Sequence, residues 1–381
     1  MQKSMVAIVR CESYDEEMVY LAVKRALDLI GGLASIVKPG EKILLKPNIL
    51  TGAPPDKAVC THPAVFNAVA RILCDAGFNP RYGDSPASDK PESGLARAGI
   101  TEVAKRYGLE LGDFENSVEV KGPSPGANWS FPLARAVAEA DCIISLPKMK
   151  THMLTRVTGA VKNQFGCILG KVKGSYHVKL PGPSDFSRML VELNLAVKAR
   201  LFVMDGIVAM EGNGPRGGDP VPMKVLLVST DPVAVDATFC RMVALDPRFV
   251  PTNVFGQRNG LGNWEESGIE LVGDPLDSFM NRQFNVVRKT AAGGAIPPAL
   301  LNLVSDRPVI EAALCIKCGK CVDSCPVEGK ALDFVKGDKK KPPAYKYNSC
   351  IRCYCCQESC PEKAITVRKP TLMGIITGKQ N

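Results

Sequence analysis

Histidine and aromatic residues are scarce in this chain. Of 381 residues three are histidine (His62, His152 and His177), two are tryptophan, and Phe, Trp and Tyr together make up 6%. No apolar run approaches the ~20 residues a membrane span needs, and residues 1–20 lack a basic-then-apolar leader pattern. The expectation is a cytoplasmic protein without a membrane span. A GxGxxG turn after the first strand and a GxxxxGK[ST] loop are both missing, so neither a nicotinamide nor a nucleoside-triphosphate cofactor is expected. With no basic stripe interleaved with aromatics and no nucleic-acid module, nucleic acid is not an expected partner. Apolar residues at 45% and charged residues at 23% exclude wholesale disorder. At roughly 150 residues per domain, the length allows two or three domains.

Cysteine is abundant: there are 15. Six are scattered through the first 300 residues, and nine crowd between Cys315 and Cys360. A secreted disulfide scaffold would spread its cysteines through a short chain, whereas a tight cluster in a long one reads as metal binding in a reducing compartment. Cys315, Cys318, Cys321 and Cys325 are followed by Pro326, and Cys350, Cys353, Cys356 and Cys360 by Pro361, both as C-x2-C-x2-C-x3-C-P. Three thiolates two residues apart wrap one cubane cluster, and the displaced fourth reaches the other. The expected ligand sets are therefore Cys315, Cys318, Cys321 and Cys360 for one [4Fe-4S] cluster, and Cys325, Cys350, Cys353 and Cys356 for a second. Paired zinc knuckles would need a different spacing, and neither run offers a histidine. Cys355 reads as a bystander. This stretch resembles the bacterial two-cluster ferredoxins, whose ending matches Cys360-Pro361-Glu362-Lys363-Ala364-Ile365. The resemblance implies an electron carrier.

The net charge of +9 belongs mostly to this region, since residues 305–381 hold 14 basic and 8 acidic side chains. Two four-thiolate cubanes at about −2 each would offset much of it.

Between about residues 38 and 275 short apolar runs alternate with helical patterns. Strands are predicted at Glu41–Leu45, Arg81–Gly83, Cys142–Leu146, Leu201–Met204 and Val225–Ser229. Helices are predicted at Pro63–Gly77, Leu95–Tyr107, Leu133–Ala140, Phe186–Lys198 and Val233–Leu245. This alternation predicts an α/β fold, an open and mostly parallel sheet with helices on both faces, followed by a small α+β dicluster ferredoxin-like domain. The expected organisation is 1–290 for the α/β domain, 291–304 for a linker containing the AAGGAIPP stretch, and 305–381 for the cluster domain and tail. Residues 336–343 (KGDKKKPP) should form a solvated loop.

Ligands of open α/β sheets sit beyond the carboxyl ends of the strands. The five predicted strands run into Lys46-Pro47-Asn48, Gly83-Asp84-Ser85, Pro147-Lys148-Met149-Lys150-Thr151-His152, Asp205-Gly206 and Asp231-Pro232. Lys46, Asn48, Asp84, Lys150, Lys162, Asn163 and Asp205 are the candidate substrate-binding residues, with His152 and Lys148 as catalytic candidates. Lysines there suit a phosphate, a carboxylate or an enolate. Asp84, His152 and Asp205 could instead hold an additional metal.

Together with Thr61-His62-Pro63, Gly159-Ala160-Val161-Lys162-Asn163 and Asp231-Pro232-Val233-Ala234-Val235-Asp236, these segments resemble the domain-of-unknown-function 362 family over about 200 residues. Its members are described as iron–sulfur or ferredoxin-like proteins when a cluster module follows. The resemblance implies the two-module architecture and names no reaction. A more distant likeness is to the amino-terminal domain of lactate racemase, which uses a nickel pincer cofactor. The expected function is that of a ferredoxin-coupled oxidoreductase, loaded by a redox partner protein and acting on a small anionic substrate or cofactor. The alternative is a non-catalytic adaptor delivering electrons or clusters to a partner enzyme.

Overall fold

The computed structural model describes residues 3–87, 89–126, 129–288 and 305–369. The expected linker lies outside the described residues. The main sheet is built from β1 (Ser4–Arg10), β2 (Ile43–Pro47), β3 (Arg81–Tyr82), β6 (Cys142–Leu146), β7 (Lys148–His152), β8 (Arg156–Thr158), β9 (Leu201–Glu211), β10 (Asp219–Ser229) and β11 (Ile269–Gly273). A separate hairpin joins β4 (Ser117–Lys121) and β5 (Ser130–Ala134). The sheet order is β11-β1-β10-β9-β6-β2-β3, with β7 paired to β9 and β8. The pairs β2–β3, β2–β6, β6–β9, β7–β9 and β1–β11 are parallel, while β10 runs antiparallel between β1 and β9. This is the expected mostly parallel sheet, made mixed by the antiparallel pairs of β10 and of β7 with β8.

Strand periodicity explains why both faces are covered. Val203, Leu45 and Ile144 point into one apolar core with helices Glu16–Leu29 and Pro63–Asp75. Their neighbours Phe202, Leu44 and Ile143 enter the cores on the opposite face, where helices Pro183–Val197 and Pro232–Met242 pack.

Several expected elements differ in extent, each for a local reason. The helix expected over Leu95–Tyr107 is two, Pro91–Arg97 and Ile100–Arg106, broken where Gly99 takes φ +76°. Leu133–Ala140 begins instead as strand β5 and turns helical only over Arg135–Ala138. The largest change concerns β9 and β10. Both run eleven residues and form one long hairpin across the loop 212–218, so Asp205 lies within a strand and not at its end. Because β10 is antiparallel, Asp231 emerges at the opposite end of the sheet. There it caps helix Pro232–Met242 through the Val233 and Ala234 amides and accepts from Ser4 Oγ. It takes no part in the candidate site.

The second module pairs β12 (Arg307–Ile310) with β15 (Ile365–Arg368), and β13 (Leu332–Asp333) with β14 (Ala344–Tyr345). Residues 336–343 connect β13 to β14 and are mostly exposed.

Candidate functional site

The eight motif cysteines line two small cavities, four to each. Cys315, Cys318, Cys321 and Cys360 surround one, together with Ile310, Ile316 and Ala364. Cys325, Cys350, Cys353 and Cys356 surround the other, among Pro308, Leu332 and Tyr345. Four cysteines and, among the described residues, no histidine line each hollow, a donor set that fits a thiolate-bound cubane; one carboxylate, Glu362, also lines the first. The exchange of each fourth cysteine between runs arises from the fold: Cys360 follows helix Cys355–Ser359 back to the first triplet, while Cys325 follows helix Lys320–Asp323 to the second.

Strand β7 carries the chemistry of the α/β domain. Period-two alternation puts Lys148, Lys150 and His152 on one face along roughly 13 Å of backbone, and each meets a different partner. Lys148 Nζ lies 2.7 Å from Asp205 Oδ2 and 2.8 Å from the Tyr14 hydroxyl. Tyr14 donates to Asp205 Oδ1 at 2.8 Å and stacks on the His62 ring, and the His62 amide donates to Asp205 Oδ2 at 3.0 Å. This Lys148–Asp205–Tyr14–His62 group is closed upon itself. Burial pushes the Lys148 amine down against the pull of Asp205.

Lys150 Nζ, fully buried, donates to Asn48 Oδ1 at 2.6 Å and the Val59 carbonyl at 2.7 Å. Desolvation lowers its pKa to about 7, helped by Lys162 and opposed by Cys60. His152 Nδ1 accepts from the Leu154 amide at 3.0 Å and the Thr155 amide at 3.3 Å, and Nε2 lies 3.0 Å from Glu358 Oε1 of the cysteine module. Burial, then Lys162, drives its pKa down to about 4, which favours the neutral imidazole. Burial alone would raise the Glu358 pKa, but Lys162 and His152 outweigh it and hold the carboxyl well below the usual range.

Between the modules lies a cavity of about 700 Å³, a size suited to a small organic molecule or cofactor. Asn48, Asp84, Lys150, Lys162 and Asn163 contribute from the α/β domain, and Cys325, Cys355 and Glu358 from the cysteine module. Lys46 stands behind the wall, 2.8 Å from Asp84 Oδ1 and 3.3 Å from Asn163 Oδ1, while Asn163 Nδ2 bonds Ser145 Oγ at 2.8 Å. Gly166 passes so close to the Lys46–Asp84 pair that a side-chain carbon there would collide with both. Of the expected site residues, Asn48, Asp84, Lys150, Lys162 and Asn163 line the cavity. Lys148, His152 and Asp205 do not line it. Lys148 belongs to the closed ion-pair group, and His152 lies buried behind Glu358. Asp84 and Asp205 are each engaged by a lysine, an arrangement that serves ion pairing. Cys355 also lines the cavity beside a motif cysteine.

Sequence reasoning missed Lys173, His177, Thr158 and Glu358, all cavity-lining. Lys173 and His177 share one face of helix Gly170–Lys179, and their spacing of four was the available signal. Glu358 was unreadable because it reaches the site from a separate module. A further omission is Asp236, whose carboxylate accepts from the Ala160 amide at 2.6 Å and the Val161 amide at 3.1 Å. It thereby fixes the segment presenting Lys162 and Asn163.

Fold and cysteine geometry together define an α/β protein carrying a 4Fe-4S dicluster module. The model of a 4Fe-4S dicluster domain matches residues 307–361, and that of a domain of unknown function (DUF362) matches residues 43–241. The chain belongs to the DUF362 family. It is 35% identical over 257 residues to the thylakoid-associated protein sll1697 of Synechocystis sp. (strain ATCC 27184 / PCC 6803 / Kazusa), covering 67% of this chain and 79% of that one. Among solved structures it is similar to the lactate racemase apoprotein of Thermoanaerobacterium thermosaccharolyticum (TM-score 0.42, 14% identity, 64% of this chain and 57% of that one). A Thermotoga maritima protein matches at TM-score 0.39 and 15% identity, over 65% of this chain and 60% of that one. The chain thus spans less than two thirds of either solved structure. Among the described residues no helix is long and apolar enough to cross a membrane.

Proposed function

We propose that this chain is an iron–sulfur electron-transfer protein, a ferredoxin-coupled oxidoreductase of a reducing, cytoplasmic compartment, whose substrate or cofactor is an anion held between its modules. The observation that carries this reading is the double role of Cys325, which lines both the four-cysteine hollow with Cys350, Cys353 and Cys356 and the 700 Å³ cavity. A ligand in that cavity would lie against the cysteine module with no intervening domain. When bound, two [4Fe-4S] clusters supply single-electron exchange. The chain's own contribution is electrostatic: Lys150 and Lys162 hold the anion, Asn48 orients Lys150, Asn163 holds Lys46 behind the wall, and Glu358 closes the wall. We place the redox partner protein at exposed Cys318, near which Leu314 and Ile316 are also exposed.

The test is anaerobic stopped-flow oxidation of the dithionite-reduced protein by a panel of organic anions, followed by cluster absorbance. A saturable oxidation that Lys162→Met slows supports the reading. Oxidation by protein carriers alone, with no anion effective, would replace it with the adaptor role.

A further inference from the structure

Buried lysines outnumber buried carboxylates around the cavity. Lys46, Lys150, Lys162 and Lys173 are each at least nine-tenths buried, and the comparably buried carboxylates beside them are Asp84 and Glu358. Asp84 is taken by Lys46, and Glu358 faces His152. Among the described residues, Lys150, Lys162 and Lys173 form no ion pair with a carboxylate. Lys150 bonds neutral oxygens of Asn48 and Val59, and Lys173 bonds the Ser85 carbonyl. Buried charges are ordinarily paired, because an unpaired ion in a low-dielectric site is costly. Four buried amines against two carboxylates leave the cavity wall with more basic than acidic side chains, and three of those amines have no carboxylate partner among the described residues. A second observation points the same way: Thr158 Oγ1 and His177 Nδ1 are buried, line the cavity, and have no hydrogen-bond partner among the described residues. The His177 ring is held in place by stacking on Phe186 at 4.5 Å.

We infer that the cavity binds a small organic dianion, a dicarboxylate or a phosphate monoester, with Lys150, Lys162 and Lys173 as its cationic cradle and Thr158 and His177 as hydrogen-bonding groups for its polar body. This rests on the proposed function and narrows its substrate class. The same reading accounts for the depressed lysines. Desolvation lowers Lys173 to about 8 and pulls Lys162 down as well, and a bound dianion supplies the countercharge that restores them.

The experiment is isothermal titration calorimetry on the anaerobically purified, cluster-loaded protein. Succinate and glycerol 3-phosphate are the dianionic probes, acetate the monoanion and inorganic phosphate the free-ion control. One dianionic probe should bind one per chain, at least about tenfold more tightly than acetate. Lys162→Met and Lys173→Met should each weaken it about tenfold, with Lys162→Arg and Lys173→Arg recovering most of the loss. Lys179→Met, at the exposed rim, should change it less than about twofold. Cluster absorbance and circular dichroism certify that each variant is folded. Inorganic phosphate matching glycerol 3-phosphate, with succinate inactive, would overturn the organic dianion in favour of a bare phosphate site. The inference also fails if acetate matches the dianions, if no probe saturates, or if Lys173→Met behaves like Lys179→Met. A dianion that binds without oxidising the reduced protein would leave this inference standing and remove the proposed reaction. A monoanion that oxidises it saturably would do the reverse.

Discussion

Gln357 Nε2 donates to both oxygens of Asn213, the main-chain carbonyl at 2.7 Å and Oδ1 at 2.9 Å, and Asn213 Nδ2 donates in turn to the Ile365 carbonyl at 2.9 Å. Lys363 Nζ adds a bond to the Gly218 carbonyl at 2.6 Å. The loop at the tip of the β9–β10 hairpin is thus the clasp that seats the cysteine module over the cavity. Asn213→Ala removes the side-chain half of it, a loss of about 1–3 kcal/mol. Hydrogen exchange should show faster amide exchange across helix Cys355–Ser359, with iron content unchanged. Unchanged exchange there would mean that the clasp does not set the docking.

Lys148 and Asp205 form a buried pair, and removing one partner strands the other charge. Lys148→Ala should lower stability by about 3–5 kcal/mol, read as a fall in thermal midpoint. Lys179→Ala, at an exposed position, should stay near wild type. A Lys148 variant of normal stability that lost only dianion binding would return Lys148 to the binding machinery.

Asp236 is raised to about 7, chiefly by burial, against the backbone bonds from Ala160 and Val161 that pull it down. Its ordinary value is near 4. Between these values the native state holds a proton that the unfolded state has released. Its contribution to stability is therefore present below about pH 4 and is lost as pH rises through 7. Asp236→Asn should remove that component, so thermal midpoints of wild type and variant should follow different slopes between pH 5 and 8. Parallel slopes would show that Asp236 is ionised throughout.

Dianion binding should be linked to proton uptake. Lys150 at about 7 and Lys173 at about 8 are partly neutral in the open cavity near pH 8. Those shifts include the fields of Cys60, Lys162, Glu358 and Lys148 on Lys150, and of Asp84, Lys46, Cys167 and Lys162 on Lys173. A bound dianion favours the charged amines, so affinity should weaken as pH climbs from 6 to 9. Calorimetry in two buffers of different ionisation enthalpy reads the uptake directly. Proton release on binding would contradict the assignment.

Metal content checks the cysteine module. Protein purified without oxygen should carry about eight irons and eight sulfides per chain. Cys325→Ser should perturb one cluster's electron paramagnetic resonance signal and leave the other. Zinc in place of iron would reject the iron–sulfur assignment.

The two cysteine runs were legible because cluster ligation is written in local spacing: gaps of two and three residues place thiols without reference to the rest of the fold. Strands β2 and β6 and helices Pro63–Asp75 and Pro183–Val197 were legible for a similar reason, since apolar periodicity reports burial directly. Strand β1 and helix Glu16–Leu29 lay outside the expected rhythm of sheet and helix, although they complete the sheet and carry Tyr14's neighbourhood. The β9–β10 hairpin escaped because a short apolar core, LFVM or VLLVS, marks only the doubly buried half of each strand. Their outer halves carry Asp205, Glu211, Asp219 and Pro222, which read as loop.

The amino-acid sequence by itself determined the two modules, the α/β class, the eight thiols and the charged character of the strand ends. Only the tertiary structure decided which cations meet. Lys148 and Lys150 are two residues apart on one strand, yet one is sealed against Asp205 and the other opens onto the cavity. A strand places side chains on a face, whereas their partners come from whatever packs over it: Tyr14, Asn48 and Glu358 arrive from positions far apart in the chain. Which lysines line the cavity without a carboxylate partner is a property of that packing.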